Sequence, residues 1–148
     1  MNDLYSFLTN EECYNVYSNF LYENYNKDLF YLNVYTHILN YKLLFFSEES
    51  NDIINDESNE IFNKYFEKNN LETKFPNEVI NEIRRKFDNL DNYKNEIFDS
   101  AFKLCFINLG KRFLEFKNTK EFQNLYEYLN LLSYIQCKMS NTGLINKF

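Results

Sequence analysis

Apolar side chains recur every three to four positions along most of this chain, and no stretch alternates apolar and polar residues as a strand would. Tyr14, Tyr17, Phe20 and Leu21 form the first stripe, and Thr9 with Glu12 has the spacing of a capping box, which predicts a helix over about 10–24. After a polar break from Asn24 to Asp28, Leu29, Leu32, Tyr35 or Thr36, Leu39 and Leu43 predict a second helix over about 28–45. Residues 47–60 then hold six acids, Glu48, Glu49, Asp52, Asp56, Glu57 and Glu60, and no base. So much charge of one sign cannot enter a core, and the stretch reads as a solvated loop leading into a helix. Ile53, Ile54, Ile61, Phe62, Tyr65 and Phe66 mark that helix, and the turn-prone Lys68-Asn69-Asn70 should end it.

Pro76 suits the first turn of the next helix, where its missing N–H costs nothing, and Val79, Ile80, Ile83 and Phe87 give that helix a buried side. Asp91 to Asn95 reads as a turn, and Ile97, Phe98, Ala101, Leu104, Cys105, Asn108 and Leu109 trace one helix face after it. Gly110 is placed to end this helix. A short turn should carry Phe113, Leu114 and Phe116, with Phe98, Ala101, Phe113 and Leu114 assigned to the core. Asn118 and Glu121 repeat the capping spacing before Phe122, Leu125, Tyr126, Leu129 and Leu132, with a last helix to about Lys138 and a frayed tail over 140–148. The pattern predicts an all-α helical bundle of seven to nine helices in a single domain.

Composition changes this picture in one respect. The 25 Asn give a low-complexity look, but 16 Phe and 13 Tyr in 148 residues belong to a folded chain, since disordered ones are poor in aromatics. A chain of this length removes roughly two-thirds of its unfolded surface from water on folding. The net charge of −6 argues against nucleic acid as a partner, because that grip needs clustered Lys and Arg. No apolar run is long enough to span a bilayer, and the N-terminus has no leader pattern. Cys13, Cys105 and Cys137 are odd in number and widely spaced, which with the absence of any Asn-x-Ser/Thr sequon places the chain in the cytosol.

Residues for catalysis are scarce. His37 is the sole histidine, flanked by Thr36 and Ile38, so no triad and no zinc spacing is present in sequence. Two glycines cannot build a phosphate loop, and the acids of 48–60 lack the glycine and terminal glutamate of a calcium-binding EF-hand loop. These residues predict no catalytic centre, no metal and no cofactor.

The order of several short segments points elsewhere. Phe20-Leu21-x-x-x-Tyr25, Ile61-Phe62-Asn63-Lys64-Tyr65-Phe66, Asn70-Leu71, Ile97-Phe98-Asp99-Ser100-Ala101 and Lys111-Arg112-Phe113-Leu114 follow one another as similar motifs do in the RGS (regulator of G-protein signalling) domain. The chain resembles that family over about residues 4–130. The resemblance implies a monomeric helical domain that binds the GTP-bound or transition-state form of a heterotrimeric G-protein α subunit and accelerates its GTP hydrolysis. Such a domain donates no catalytic side chain of its own. Peripheral membrane association would then come through the partner.

The resemblance assigns the partner-binding positions to Tyr25, Asp28, Asn70, Leu71, Lys111 and Arg112. The family's Glu-Asn pair falls on Asp28 and Leu29 in an ungapped reading, or on Lys27 and Asp28 with one gap. Asn70 matches a loop Asn that reaches the catalytic Gln region of Gα, and Arg112 a basic residue that shapes the switch-binding surface. The chain also departs from the family. Only Gly110 separates Leu109 from Lys111, where the family carries several more residues that contact Gα, and the stretch between Phe66 and Asn70 is shortened. Plainer readings stand beside each site: Asp28 as an N-cap, Asn70 as a turn residue, and Arg112 as an exposed cation at a helix start. The alternative function is an RGS-homology interaction or scaffold module without GTPase-activating activity, and an unrelated helical structural domain is the third.

Overall fold

The computed structural model describes residues 3–67 and 74–141. Among them the chain is all α-helical, with eight α-helices, one 3₁₀ turn and no strand. It divides into two compact units, one made of Met1–Asn26 with Gly110–Phe148 and the other of Lys27–Leu109.

The first unit begins with α1 (Leu4–Leu8), a helix that the sequence pattern missed. Its N-cap is Asp3, whose carboxylate accepts from the Tyr5 and Ser6 amides and, at 2.7 Å, from the Ser6 hydroxyl. These bonds hold the Asp3 carboxyl below the usual carboxylate range, the Ser6 hydroxyl contributing most. Helix α2 (Glu11–Asn24) follows, capped by Asn10 through the Cys13 amide at 3.1 Å. The expected Thr9–Glu12 capping box is therefore not formed; Thr9 ends α1 and turns its hydroxyl to the Ser6 carbonyl.

Helix α7 (Asp99–Phe116) enters this unit at Gly110, and α8 (Lys120–Asn141) completes it. The cap of α8 is Thr119, whose hydroxyl accepts from the Phe122 amide at 3.2 Å, so the Asn118–Glu121 box is shifted by one residue. Helix α8 extends a few residues past the expected end at Lys138, and 142–148 lie outside the described residues. The unit's core is a cluster of rings. Phe7 meets Phe113 at 5.1 Å and Phe116 at 5.6 Å, while Tyr17 lies 5.2 Å from Phe116 and Phe122 closes the far side. Rings tilted or edge-on at these distances add to what burial alone supplies.

Gly110 does not end a helix. It sits inside α7, which continues through Lys111 to Phe116, so the expected turn carrying Phe113, Leu114 and Phe116 is helical. A hypothetical Cβ at Gly110 would meet only the Leu4 side chain at 3.9 Å. Uninterrupted helical rotation then buries Phe113 and Phe116 but turns Leu114 outward, 64% exposed and not in the core as expected.

The second unit holds α3 (Leu29–Phe46), α4 (Asn51–Tyr65), α5 (Asn77–Phe87), α6 (Leu90–Tyr93) and the part of α7 up to Leu109. Helix α3 buries Leu32, Val34, Tyr35, Ile38 and Tyr41, whereas Leu43, expected on its apolar face, is half exposed. Its C-terminus closes with Glu48 in the left-handed region (φ 54°) and the Glu49 amide donating to the Leu44 carbonyl at 3.2 Å.

Helix α4 starts at Asn51 under a Ser50 cap, so Asp52, Asp56, Glu57 and Glu60 stand on helix and not in a loop. Its buried face, Ile54, Ser58, Ile61 and Tyr65, packs on α3. Pro76 takes the N-cap position of α5, where its carbonyl accepts the Ile80 amide. The expected turn at Asp91–Asn95 begins as α6 and loosens only after Tyr93. Tyr35 stacks on Phe102 at 4.7 Å, Phe66 on Phe98 at 5.7 Å and Phe62 on Phe87 at 4.0 Å.

Candidate functional site

The end of α2 and the last turns of α7 build a polar cluster on the surface of the first unit. Tyr25 is the C-cap of α2, with its amide donating to the Leu21 carbonyl at 2.7 Å. Its ring stands edge-on to Phe20 at 5.9 Å, and Phe20 packs on Phe116 of the core at 5.0 Å. The ring is thereby anchored while its hydroxyl reaches the surface.

On α7, Arg112 and Glu115 are three residues apart and share one side of the helix. The Arg112 guanidinium lies over the Tyr25 ring, 3.8 Å from its centre. Arg112 Nη1 donates to Glu115 Oε1 at 3.3 Å, and the Tyr25 hydroxyl donates to Glu115 Oε2. Glu115 is thus shared between both partners. This closed arrangement pushes the Tyr25 phenol above its ordinary value, chiefly through the hydrogen bond to Glu115, with burial and the carboxylate charge adding and Arg112 opposing. The phenol stays a donor over the whole neutral range.

Two of the six expected partner-binding residues, Tyr25 and Arg112, are therefore in contact. Arg112 is neither at a helix start nor a freely exposed cation: its side chain is 35% exposed, stacked and paired. A stacked guanidinium keeps its planar edge for a carboxylate or a backbone carbonyl while its position is set in advance. Lys111 precedes it on α7 and is exposed. An open cleft of about 290 Å³ lies in the same unit, lined by Val16, Asn19, Phe20, Glu23, Asn24 and Glu121.

Asp28 belongs to the second unit. It occupies the N-cap position of α3 with helical backbone angles (φ −81°, ψ −11°) and makes no capping hydrogen bond, so the expected N-cap role is positional only. Around it, the Lys74 ammonium donates to the Lys27 carbonyl at 3.0 Å and lies 5.6 Å over the Phe30 ring. Burial, and secondarily the Asp28 charge, raises the pKa of neighbouring Tyr31. Asn70 and Leu71 lie outside the described residues.

Glu115 is not among the expected partner-binding residues, although its i,i+3 spacing from Arg112 on one helix signals the pairing. The obstacle was the assumed helix end at Gly110, which removed the helical register on which that spacing depends. No family model, curated protein or solved structure matches this chain.

Proposed function

We propose that this chain is a cytoplasmic RGS-like module that binds an activated G-protein α subunit and accelerates its GTP hydrolysis. The observation that carries the reading is the cluster of Tyr25 with Arg112, two residues far apart in sequence that the resemblance independently assigns to one partner-binding surface. Such a module acts by preferring one shape of its partner, because only interactions stronger in the transition state than in the ground state raise the rate. A pre-stacked cation and a locked phenol suit that task, since little side-chain freedom is lost on docking.

One observation favours the second reading, an interaction or scaffold module without GTPase-activating activity. Helix α7 is continuous through Gly110, at the place where the related domains carry extra residues that contact Gα. The two readings separate in a pull-down against Gα carrying GDP, with and without aluminium fluoride, followed by single-turnover GTP hydrolysis. The activator reading expects retention that depends on aluminium fluoride and a faster turnover, both reduced by Asn70→Ala and by Lys111→Glu. Equal retention in both nucleotide states with no change of rate leaves the scaffold reading. No retention by any Gα removes the activator reading and leaves a docking module for a partner other than Gα.

A further inference from the structure

The sole histidine of the chain has no ligating neighbour in sequence, yet α4 brings it two within its own unit. His37 Nε2 on α3 lies 2.8 Å from Glu57 Oε1 on α4. Glu60 is one turn further along α4, on the same side as Glu57. The ligand atoms of His37, Glu57 and Glu60 all fall within 4.8 Å of one another. The imidazole and the Glu57 carboxylate are mostly covered, with side chains 18% and 29% exposed, while Glu60 stands at the solvent side.

We propose that His37, Glu57 and Glu60 form a binding site for a divalent transition-metal ion of the zinc type, with water completing its shell. One imidazole nitrogen and two carboxylate oxygens are a donor set such ions accept, and the two carboxylates balance the ion's charge. Donors about 2.0–2.2 Å from a tetrahedral ion stand a little over 3 Å apart, so the His37–Glu57 pair opens slightly and Glu60 swings inward. Exposure of Glu60 leaves it free to do so.

His37 also has a partner that orients its ring. Metal binding through Nε2 needs the neutral imidazole with its proton on Nδ1, and Nδ1 faces the Tyr65 hydroxyl at 3.4 Å. The two rings meet edge-on, 5.8 Å between centres, which sets the plane of the imidazole. A tyrosine hydroxyl can accept as well as donate, so its oxygen can take the Nδ1 proton in a hydrogen bond. Zinc-site spacing is invisible in the sequence because the ligands come from two helices.

The test uses the whole chain, stripped of metal and titrated with zinc by calorimetry and with cobalt by visible absorption. One ion per chain, a raised melting temperature and a cobalt spectrum of nitrogen and oxygen ligands are expected. Glu60→Gln, at an exposed position, should weaken zinc by about tenfold or more while the metal-free protein melts unchanged, and Tyr65→Phe should weaken it less. His37→Gln should abolish binding. A thiolate-to-cobalt band would place the ion at a cysteine and overturn the proposal. So would affinity indifferent to Glu60→Gln, or no saturable binding at submillimolar zinc, which would reduce His37–Glu57 to a hydrogen-bonded pair between two helices.

Discussion

Replacing Gly110 by alanine should stabilise the protein. Glycine in a helix interior costs about 0.8–1.0 kcal/mol relative to alanine, because it loses more backbone freedom on folding. Gly110 sits within α7, several residues from either end. The added methyl would lie 3.9 Å from Leu4 Cδ2, an ordinary contact that displaces nothing. One such contact adds only about 0.1–0.2 kcal/mol, so the net gain is about 0.5–1 kcal/mol. For a chain of this size that raises the melting temperature by about 1–4 °C. Urea unfolding followed by circular dichroism should show the midpoint moving up with an unchanged slope, which marks a change of stability with no change in the surface exposed on unfolding. A helix terminator responds in the opposite sense. Were Gly110 in the left-handed conformation, a β-carbon would meet the following carbonyl, at a cost of about 1–2 kcal/mol. Destabilisation of that size would refute the continuous helix.

Phe113→Ala should cost about 3–5 kcal/mol, since Phe113 fills the ring cluster with Phe7, Tyr17 and Phe122, whereas Leu114→Ala on the exposed side should stay within about 0.5 kcal/mol. Equal losses in chemical denaturation would show that the rotation of α7 is misassigned. Native alkylation read by mass spectrometry should label Cys137 first, because Cys13 and Cys105 are buried and burial raises both thiols, that of Cys105 to about 12. The same shift fixes a pH dependence. The folded state prefers the neutral thiol, so the stability Cys105 contributes is intact below pH 9.0, where the unfolded thiol ionises, and is lost as pH rises toward about 12. Cys105→Ala should flatten that alkaline decline in a denaturant series, and an unchanged slope would refute the assignment.

What the sequence determined by itself is the helical class and the faces of most helices. The three-to-four-residue spacing placed Tyr17 and Leu21, Ile80 and Ile83, and Ala101, Cys105 and Leu109 on buried sides, because burial of an amphipathic face is a local property repeated along the chain. Ends were less legible. Thr9 and Asn118 have good capping chemistry, but Asn10 and Thr119 hold the capping positions, since a cap depends on where the backbone leaves the helix as well as on residue type. Gly110 illustrates the same limit: glycine permits a left-handed stop without requiring one, and packing of Phe113 and Phe116 around Phe7 rewards continuing the helix. The acids of α4 read as a loop by charge density alone, but they occupy the outer side of a helix whose Ile54–Ile61–Tyr65 stripe is buried beneath them. Only tertiary structure could decide the pairings across long separations. Tyr25 meets Glu115 ninety residues later, and His37 meets Glu57 from another helix. A helix prescribes which way each side chain faces, but the side chain that answers it from another element is set by how the helices pack, and no local period records that.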